Sequence, residues 1–338
     1  MSKVQLQHVW KIFGPNPRYV LRTMNNAASS EQILRETGHV TAVRDVSLVV
    51  DQGEIFVVMG LSGSGKSTLI RCLSRLIEPT AGRILINQED VTKMNKKALR
   101  HLRRHTVSMV FQRFGLFPHR RVLDNVSYGL EVRGVSQAER RAKARQVLEL
   151  VGLAGWEHRY PRELSGGMQQ RVGLARALAV EPEIMLCDEP FSALDPLIRR
   201  EMQQELLRLQ KSLHKTIIFI THDFLEAIKL GDRIAIMKDG AIVQVGTAQQ
   251  IVAHPANEYV REFTRDVPRA KVLTAESIML PLNGVTLVGE TAVPHHTTLE
   301  TIIAHVLNSE VHLPVTNSAG EVIGMVDRRT VLLALAES

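Results

Sequence analysis

A glycine-rich segment that ends in a lysine and two hydroxyl residues could hold phosphate groups. Residues 60–68 (GLSGSGKST) fit the pattern G-x-x-x-x-G-K-[ST] and lie between an apolar, strand-like run and a helix-like segment. Glycines let backbone N–H groups surround phosphate oxygens, and the start of a helix adds partial positive charge. A plain glycine turn is the alternative, but the order of strand, loop and helix favours a phosphate site. The predicted nucleotide-binding residues are Gly60, Ser62, Gly63, Ser64, Gly65, Lys66, Ser67 and Thr68.

An acidic pair ends a second apolar run. Residues 184–187 are apolar and precede Asp188 and Glu189, which places both carboxylates where ligands of open α/β sheets collect. Alone, such a pair is usually a solvated strand end. Downstream of a phosphate loop, we expect Lys66 to contact the β- and γ-phosphates and Asp188 to hold Mg²⁺ together with the Ser67 hydroxyl. Glu189 would accept a proton from the water that attacks the γ-phosphate.

Length and composition indicate an ordinary folded chain. Its 338 residues suffice for about two domains, and 44% hydrophobic with 23% charged residues excludes wholesale disorder. The apolar runs fall far short of the ~20 residues that cross a bilayer, and the polar start lacks a signal-peptide core, so we expect a cytoplasmic chain. Cys72 and Cys187 lie in apolar segments, which predicts buried thiols rather than a disulfide or zinc cluster.

The net charge of +7 is concentrated in one region. Residues 91–123 contain nine Lys and Arg and no acid, so the remainder of the chain sums to −2. This distribution argues against a uniformly basic nucleic-acid-binding protein. Six of these basic residues, between Lys93 and Arg104, have the spacing of one helix face, and a solvated face is the simplest interpretation.

Further motifs carry a resemblance to a known family. Residues 164–170 (LSGGMQQ) closely resemble the LSGGQ signature of ATP-binding cassette (ABC) ATPases, with Met168 at the usual glutamine position. Gln112 in VFQ matches the Q-loop, residues 192–195 (SALD) the D-loop, and His222 in THD the switch histidine. The resemblance implies ATP and Mg²⁺ as cofactors. It assigns catalysis to Glu189, His222 and Gln112, and Mg²⁺ to Ser67, Gln112 and Asp188.

The signature also predicts a second chain. The chain has one complete phosphate loop, so another anion-binding helix start needs a nucleotide from elsewhere. The resemblance implies a head-to-tail homodimer in which Ser165, Gly166, Gly167 and Gln169 contact the partner's ATP, with Asp195 in the D-loop. It also places an adenine-stacking ring at Phe13. Core packing of Phe13, or a platform at the neighbouring Trp10, are the alternatives.

The resemblance implies the architecture of most of the chain. We expect an α/β P-loop NTPase cassette at residues 1–265, with a RecA-like core, a β-subdomain and a helical subdomain at about 113–164. An insertion at about 15–40 contains a helix that a capping box at Ser29–Gln32 would open. This insertion, with KIFG before it and EQIL-x-x-TG inside it, resembles the ATPases of glycine betaine, proline betaine and related quaternary-amine importers.

The C-terminal region resembles a single CBS (cystathionine β-synthase) module. Residues 266–338 read as a linker followed by a small α+β domain, with a helix opened by Thr297, a hairpin around 317–321 and a last helix. We expect this module to pair with its twin in the dimer. Modules that bind nucleotides carry an aspartate three residues after a Ser or Thr, whereas this chain has Asp327 and Thr330, which argues against adenylate binding.

The implied function is ATP binding and hydrolysis for import of glycine betaine, proline betaine or related quaternary amines. Expected partners are an integral-membrane permease, a periplasmic or extracellular substrate-binding protein and a second ATPase subunit. The basic region adjoins the Q-loop, where cassettes meet their membrane partners, so anionic lipid is a further candidate. The chain would lie on the cytoplasmic side of the cell membrane. An importer ATPase for an amino acid or choline is the runner-up. A cassette acting on DNA or ribosomes is disfavoured, because neither a second cassette nor a coiled-coil insertion is present, and no nucleic-acid partner is expected.

Overall fold

The computed structural model of the chain describes residues 2–24, 29–112, 115–192, 194–282, 292–307 and 312–336. The chain forms two compact units, one of Met1–Asp223 with Leu230–Ile242, the other of Phe224–Lys229 with Val243–Ser338. Some predicted positions lie outside the described residues. These are residues 25–28 of the insertion, Arg113 of the basic region, Ala193 of the D-loop, and residues 283–291, 308–311, 337 and 338 of the C-terminal region.

Strands and helices alternate through the first unit. The strands are β1 (Ser2–Phe13), β2 (Val40–Asp51), β3 (Ile55–Met59), β4 (Ala81–Ile86), β5 (Glu89–Asp90), β6 (Val107–Val110), β7 (Ile184–Asp188), β8 (Thr216–Thr221), β9 (Arg233–Lys238) and β10 (Ala241–Gly246), in which the boundary between units falls. The helices up to β9 are α1 (Pro17–Thr23), α2 (Ser30–Thr37), α3 (Lys66–Leu73), α4 (Lys96–His105), α5 (Val122–Val132), α6 (Gln137–Leu150), α7 (Gly166–Ala179), α8 (Pro196–Leu213) and α9 (Phe224–Leu230). The last of these, α9, belongs to the second unit except for Leu230. Short 3₁₀ turns lie at Val91–Lys93 and Pro161–Glu163.

A parallel sheet forms the core of the first unit, with its strands in the order β9-β3-β8-β7-β6. Strands β3, β7 and β8 are buried along their whole length, as expected of apolar runs covered on both faces. Met59 at the end of β3 pairs with Thr221 of β8, and Asp188 at the end of β7 pairs with Ile220. The phosphate loop, the acidic pair and His222 therefore follow strands that end at one edge of the sheet.

An antiparallel sheet in the order β2-β1-β4-β5 accompanies this core, and the insertion lies between β1 and β2. Val20 of α1 and Ile33 of α2 form a small apolar cluster. The Ser29 hydroxyl accepts a hydrogen bond from the Gln32 backbone N–H at 3.1 Å, which caps α2. The Gln32 side chain bonds to Glu36 instead of reaching back, so only half of the predicted capping box forms.

The basic region is not one uniform helix face. Lys93 lies in the 3₁₀ turn before α4. Arg103 turns inward and donates hydrogen bonds to the backbone carbonyls of Ser74 and Arg75 at 2.9 and 2.6 Å. Lys96, Lys97, Arg100 and Arg104 remain as exposed cations of α4, so the expectation of six residues on one face was wrong for two of them.

The second unit contains several short helices and a small sheet. Its further elements are α10 (Ala248–Ala253), α11 (Glu258–Thr264), α12 (Arg269–Val272), α13 (Ala275–Ile278), β11 (Val293–Pro294), α14 (Leu299–Leu307), β12 (Leu313–Thr316), β13 (Val322–Val326) and α15 (Arg328–Ala336). The sheet order is β11-β12-β13, and β12 and β13 form the predicted antiparallel hairpin. Asp327 precedes α15 and accepts hydrogen bonds from the backbone N–H and the hydroxyl of Thr330, both at 2.7 Å. Asp327 therefore caps its own helix. In the described part of the chain, no helix combines the length and apolar character needed to span a membrane.

Candidate nucleotide-binding site

The phosphate loop is shaped by backbone that belongs to other elements. Gly65 has φ +102° and precedes α3, and a Cβ there would lie 2.0 Å from the carbonyl oxygen of Ala42 in β2. Gly60 has φ +154°, and a Cβ there would lie 2.2 Å from the carbonyl oxygen of Met237 in β9. Both positions need glycine because they combine positive φ with close backbone contact.

Lys66 folds back over this loop. Its Nζ donates hydrogen bonds to the carbonyl oxygens of Gly60 at 2.8 Å and Leu61 at 3.0 Å, and it lies 3.8 Å from Oε1 of Glu189. Burial lowers the pKa of Lys66, and the charges of Glu189 and Asp188 oppose that shift. The ammonium is thus a buried cation at the loop that was predicted to hold phosphates.

Oxygen donors converge beside the loop. The Ser67 hydroxyl donates to Oδ1 of Asp188 at 2.7 Å, and Asp188 is 1% exposed. The Gln112 side-chain amide donates to Oε2 of Glu189 at 3.3 Å, which ties the third predicted metal ligand to the residue that follows Asp188. A hydroxyl, a carboxylate and an amide carbonyl are the hard oxygen ligands that suit Mg²⁺, and this donor set fits that ion.

Glu189 occupies a conformation that a carboxylate residue rarely adopts. Its φ is +45°, in the left-handed region. Oε2 lies 3.2 Å from Nδ1 of His222, and the backbone carbonyl accepts a hydrogen bond from the Ser192 hydroxyl at 3.1 Å. The turn after β7 therefore holds Glu189 between the Q-loop glutamine, the switch histidine and Lys66, with the D-loop attached to its backbone.

The two aromatic candidates for the adenine platform differ in exposure. Trp10 is 8% exposed and belongs to the core, whereas Phe13 is 41% exposed. Phe13 is the last residue of β1 and pairs with Val40, the first residue of β2. Nζ of Lys11 lies 4.6 Å from the centroid of the Phe13 ring. Of the two rings, only that of Phe13 offers a surface to a ligand.

The signature residues and Asp195 of the D-loop lie at the starts of α7 and α8. Ser165 caps α7 by accepting a hydrogen bond from the Met168 N–H at 3.3 Å, and the Gln169 amide donates to the Leu164 carbonyl. Gly166 has open space around it. Asp195 caps α8 through the N–H groups of Leu197 and Ile198, both at 3.1 Å. The N-terminal end of α7 therefore presents only small residues, Ser165, Gly166 and Gly167.

Two charged residues near the site were not found from the sequence. Arg71 donates a hydrogen bond to Oδ2 of Asp188 at 3.2 Å. Arg199 lies 3.7 Å from Asp223 and donates to the Leu194 carbonyl, which links the D-loop to the residue after the switch histidine. Ser67 and Arg71 are four residues apart on α3, and this helical spacing was the one available signal for Arg71.

A phosphate loop between β3 and α3, with an acidic pair at the end of β7 and one strand between them, defines a P-loop ATPase core. Comparison with known families extends this result. The ABC transporter family matches residues 43–192 and the CBS domain family matches residues 286–337. The chain belongs to the ABC transporter family, as an ATPase subunit that binds and hydrolyses ATP. The predicted fold class, an ABC cassette followed by a single CBS-like module, is confirmed.

Similar proteins come from several transport systems. The glycine betaine transport ATP-binding protein OpuAA of Bacillus subtilis is 56% identical over 277 residues, which cover 82% of this chain and 66% of that protein, just under two thirds. The trimethylamine N-oxide transport system ATP-binding protein TmoW of Ruegeria pomeroyi is 52% identical over 97% of this chain and 96% of its own length. The predicted resemblance to betaine-importer ATPases is confirmed.

Solved structures agree with the fold. The ATP-binding cassette MJ0796, in a dimeric post-hydrolysis state bound to ADP and Pi, has a TM-score of 0.62 and 33% sequence identity. The match covers 72% of this chain and 98% of that cassette. A second dimeric structure of the same bacterial ABC transporter cassette matches equally well in TM-score.

Proposed function

We propose that the chain drives the import of small methylated amines, such as glycine betaine, proline betaine or trimethylamine N-oxide. The observation that carries the proposal is 52–56% identity to ATP-binding proteins named for glycine betaine and trimethylamine N-oxide transport. These solutes share a methylated, positively charged nitrogen and a nearby negatively charged oxygen. Nearly end-to-end similarity to the trimethylamine N-oxide relative supports including that solute beside the betaines.

Hydrolysis is proposed to use the side chains gathered at the sheet edge. Lys66 exchanges its loop carbonyl partners for the β- and γ-phosphates, and the N–H groups of residues 60–68 complete the cradle. Glu189 accepts a proton from the attacking water, and His222, 3.2 Å from Glu189, orients that carboxylate and the γ-phosphate. Ser67, Asp188 and Gln112 would hold Mg²⁺, which supplies positive charge against the phosphates. Phe13 stacks on the adenine.

We propose a head-to-tail homodimer as the active assembly. Ser165, Gly166 and Gly167 lie at the start of the 14-residue helix α7, whose N-terminus attracts anions. This helix start would meet the γ-phosphate on a partner subunit, with Gln169 and Asp195 beside it. The dimeric state of the similar cassette bound to ADP and Pi supports this arrangement.

A permease would dock on an apolar cavity next to the Q-loop. The cavity has a volume of about 280 Å³ and its wall is mainly apolar, with contributions from Leu76, Val107, Met109, Phe111, Val132 and Val180. Arg103, Arg104 and Arg176 also line it. This composition suits a short amphipathic segment that inserts apolar side chains. The exposed cations of α4 continue from this cavity and would face anionic lipid headgroups at the cytoplasmic surface of the membrane. An external substrate-binding protein would deliver the solute to that permease.

Uptake measurements test the proposed substrates. A deletion strain that expresses the wild-type chain should accumulate labelled glycine betaine or trimethylamine N-oxide, and a strain that expresses Lys66→Ala should accumulate neither. Labelled choline and proline serve as competing candidates. Uptake of proline or choline alone would reject the proposed solutes, which carry both a methylated, positively charged nitrogen and a negatively charged oxygen, and would favour another small-solute importer.

A further inference from the structure

Arg71 is a charged residue of the nucleotide site that belongs to none of its motifs. It lies one turn after Ser67 on α3, so the two side chains point to the same side of the helix. The guanidinium donates to Oδ2 of Asp188 at 3.2 Å, and the Ser67 hydroxyl donates to Oδ1 at 2.7 Å. Each oxygen of this carboxylate is therefore held by a different side chain of α3.

The two side chains of the Arg71–Asp188 contact differ in their exposure to solvent. The Asp188 side chain is 2% exposed and the Arg71 side chain is 44% exposed. A half-exposed arginine adds little to stability through an ion pair, because solvent screens its charge. What the contact does fix is the rotation of the buried carboxylate, since a carboxylate bonded at one oxygen alone can turn about its Cβ–Cγ bond.

We propose that Arg71 is a positioning residue for the Mg²⁺ site. By holding Oδ2 of Asp188, Arg71 keeps Oδ1 beside the Ser67 hydroxyl, and this is the pair proposed above to hold the ion. The inference thus rests on the proposed Mg²⁺ site. Outer partners of metal ligands typically contribute 10–100-fold in metal affinity, and we assign Arg71 an effect of that size.

Charge alone predicts the opposite result. A guanidinium next to a metal-binding carboxylate repels a divalent cation, so removal of a purely electrostatic arginine would strengthen metal binding. A purely structural arginine would change the free energy of unfolding without changing metal affinity. The sign of the change in metal affinity therefore separates positioning from both alternatives.

The experiment compares the full-length wild type with Arg71→Met, Arg71→Gln and Arg71→Lys. Arg233→Met is the matched control, because Arg233 is 38% exposed and pairs at 3.3 Å with Glu54, whose side chain is 8% exposed. Mn²⁺, a paramagnetic substitute for Mg²⁺, is titrated in the presence of ATP and followed by electron paramagnetic resonance. Binding of a fluorescent ATP analogue in EDTA reports the metal-free site, and thermal unfolding reports the fold.

We expect Arg71→Met and Arg71→Gln to raise the half-saturating Mn²⁺ concentration by about 10–100-fold and to leave ATP binding in EDTA unchanged. Arg71→Lys, which can still donate to Oδ2, should restore most of the affinity, and Arg233→Met should match the wild type. Unchanged or tighter Mn²⁺ binding by both neutral variants would overturn the positioning role of Arg71 but not the proposed metal site. A wild type that binds no Mn²⁺ with ATP would overturn the metal site and the role of Arg71 together.

Discussion

Substitution of Glu189 by glutamine tests the proposed chemistry most directly. Glutamine keeps the shape of the side chain and its contacts with Gln112 and His222, but it cannot accept a proton from water. The φ of +45° costs glutamine about as much as glutamate, so the substitution adds no backbone strain. Loss of a general base lowers turnover by about 100–10,000-fold, and we expect Glu189→Gln to fall in that range.

In contrast to turnover, ATP binding should not be weakened by Glu189→Gln. Oε1 of Glu189 lies 3.8 Å from Nζ of Lys66, which corresponds to an attraction of about 4 kcal/mol at an effective dielectric constant near 20. The neutral amide removes this competitor for Lys66 and also removes a negative charge near the γ-phosphate. ATP affinity should therefore be retained or increased, and the variant should accumulate as an ATP-bound dimer.

Phosphate release, fluorescent-ATP binding and gel filtration with Mg-ATP measure these effects. Glu54→Gln is the matched control, because Glu54 is also a buried carboxylate but precedes β3 and so lies at the opposite edge of the sheet from the phosphate loop. The control should keep its turnover. Glu189→Gln turnover above a tenth of the wild-type rate, or a purely monomeric variant in the presence of ATP, would refute the reasoning.

Three further predictions concern other side chains. Lys66→Ala removes two charge-assisted hydrogen bonds to phosphate and should weaken ATP binding by about 100-fold or more; wild-type affinity in a fluorescent-ATP titration would contradict the loop assignment. Phe13→Ala should weaken ATP binding by about 5–100-fold and leave the affinity for inorganic triphosphate unchanged, whereas equal losses of affinity for both ligands would argue against stacking. Burial raises the pKa of Cys72 and Cys187 to about 12, so neither thiol should react with an alkylating reagent at pH 8 until the chain unfolds. The unfolded thiols lose their protons near pH 8.5, whereas the folded ones keep them. The free energy of unfolding should therefore fall by about 1.4 kcal/mol per thiol and pH unit as pH rises from about 9 to 12. Urea unfolding of the Cys72→Ala, Cys187→Ala double variant should show a shallower decline.

Local sequence patterns predicted those features that depend on residues close to one another in the sequence. The apolar runs that became β3 and β7 indicated buried strands of an open α/β sheet, and the hairpin of the second unit followed from its turn residues. The burial of Cys72 and Cys187 was likewise predicted from their apolar neighbours. In each case the signal lies within a few residues of the feature.

Features that depend on distant neighbours were missed. Arg71 contacts a carboxylate 117 residues away, and that contact depends on where β7 ends relative to α3. Arg103 has the same helical spacing as the exposed cations, yet backbone carbonyls 28 and 29 residues earlier attract it inward. Charge periodicity identifies a helix face but not what lies against it. For the same reason the left-handed conformation of Glu189 left no trace in the sequence.

The crowding around two glycines of the phosphate loop has a consequence for mutational scans. Alanine at Gly60 or Gly65 would collide with the backbone of Met237 or Ala42, so loss of function there would report a failed fit between β-strands and loop. Gly63 has no neighbouring atom within 4 Å of an added Cβ, and its φ of +84° is the main constraint on substitution. Loss of function on substitution of Gly63 would therefore report the cost of a left-handed backbone for a residue with a Cβ, whereas loss at Gly60 or Gly65 would also report a collision with neighbouring strands.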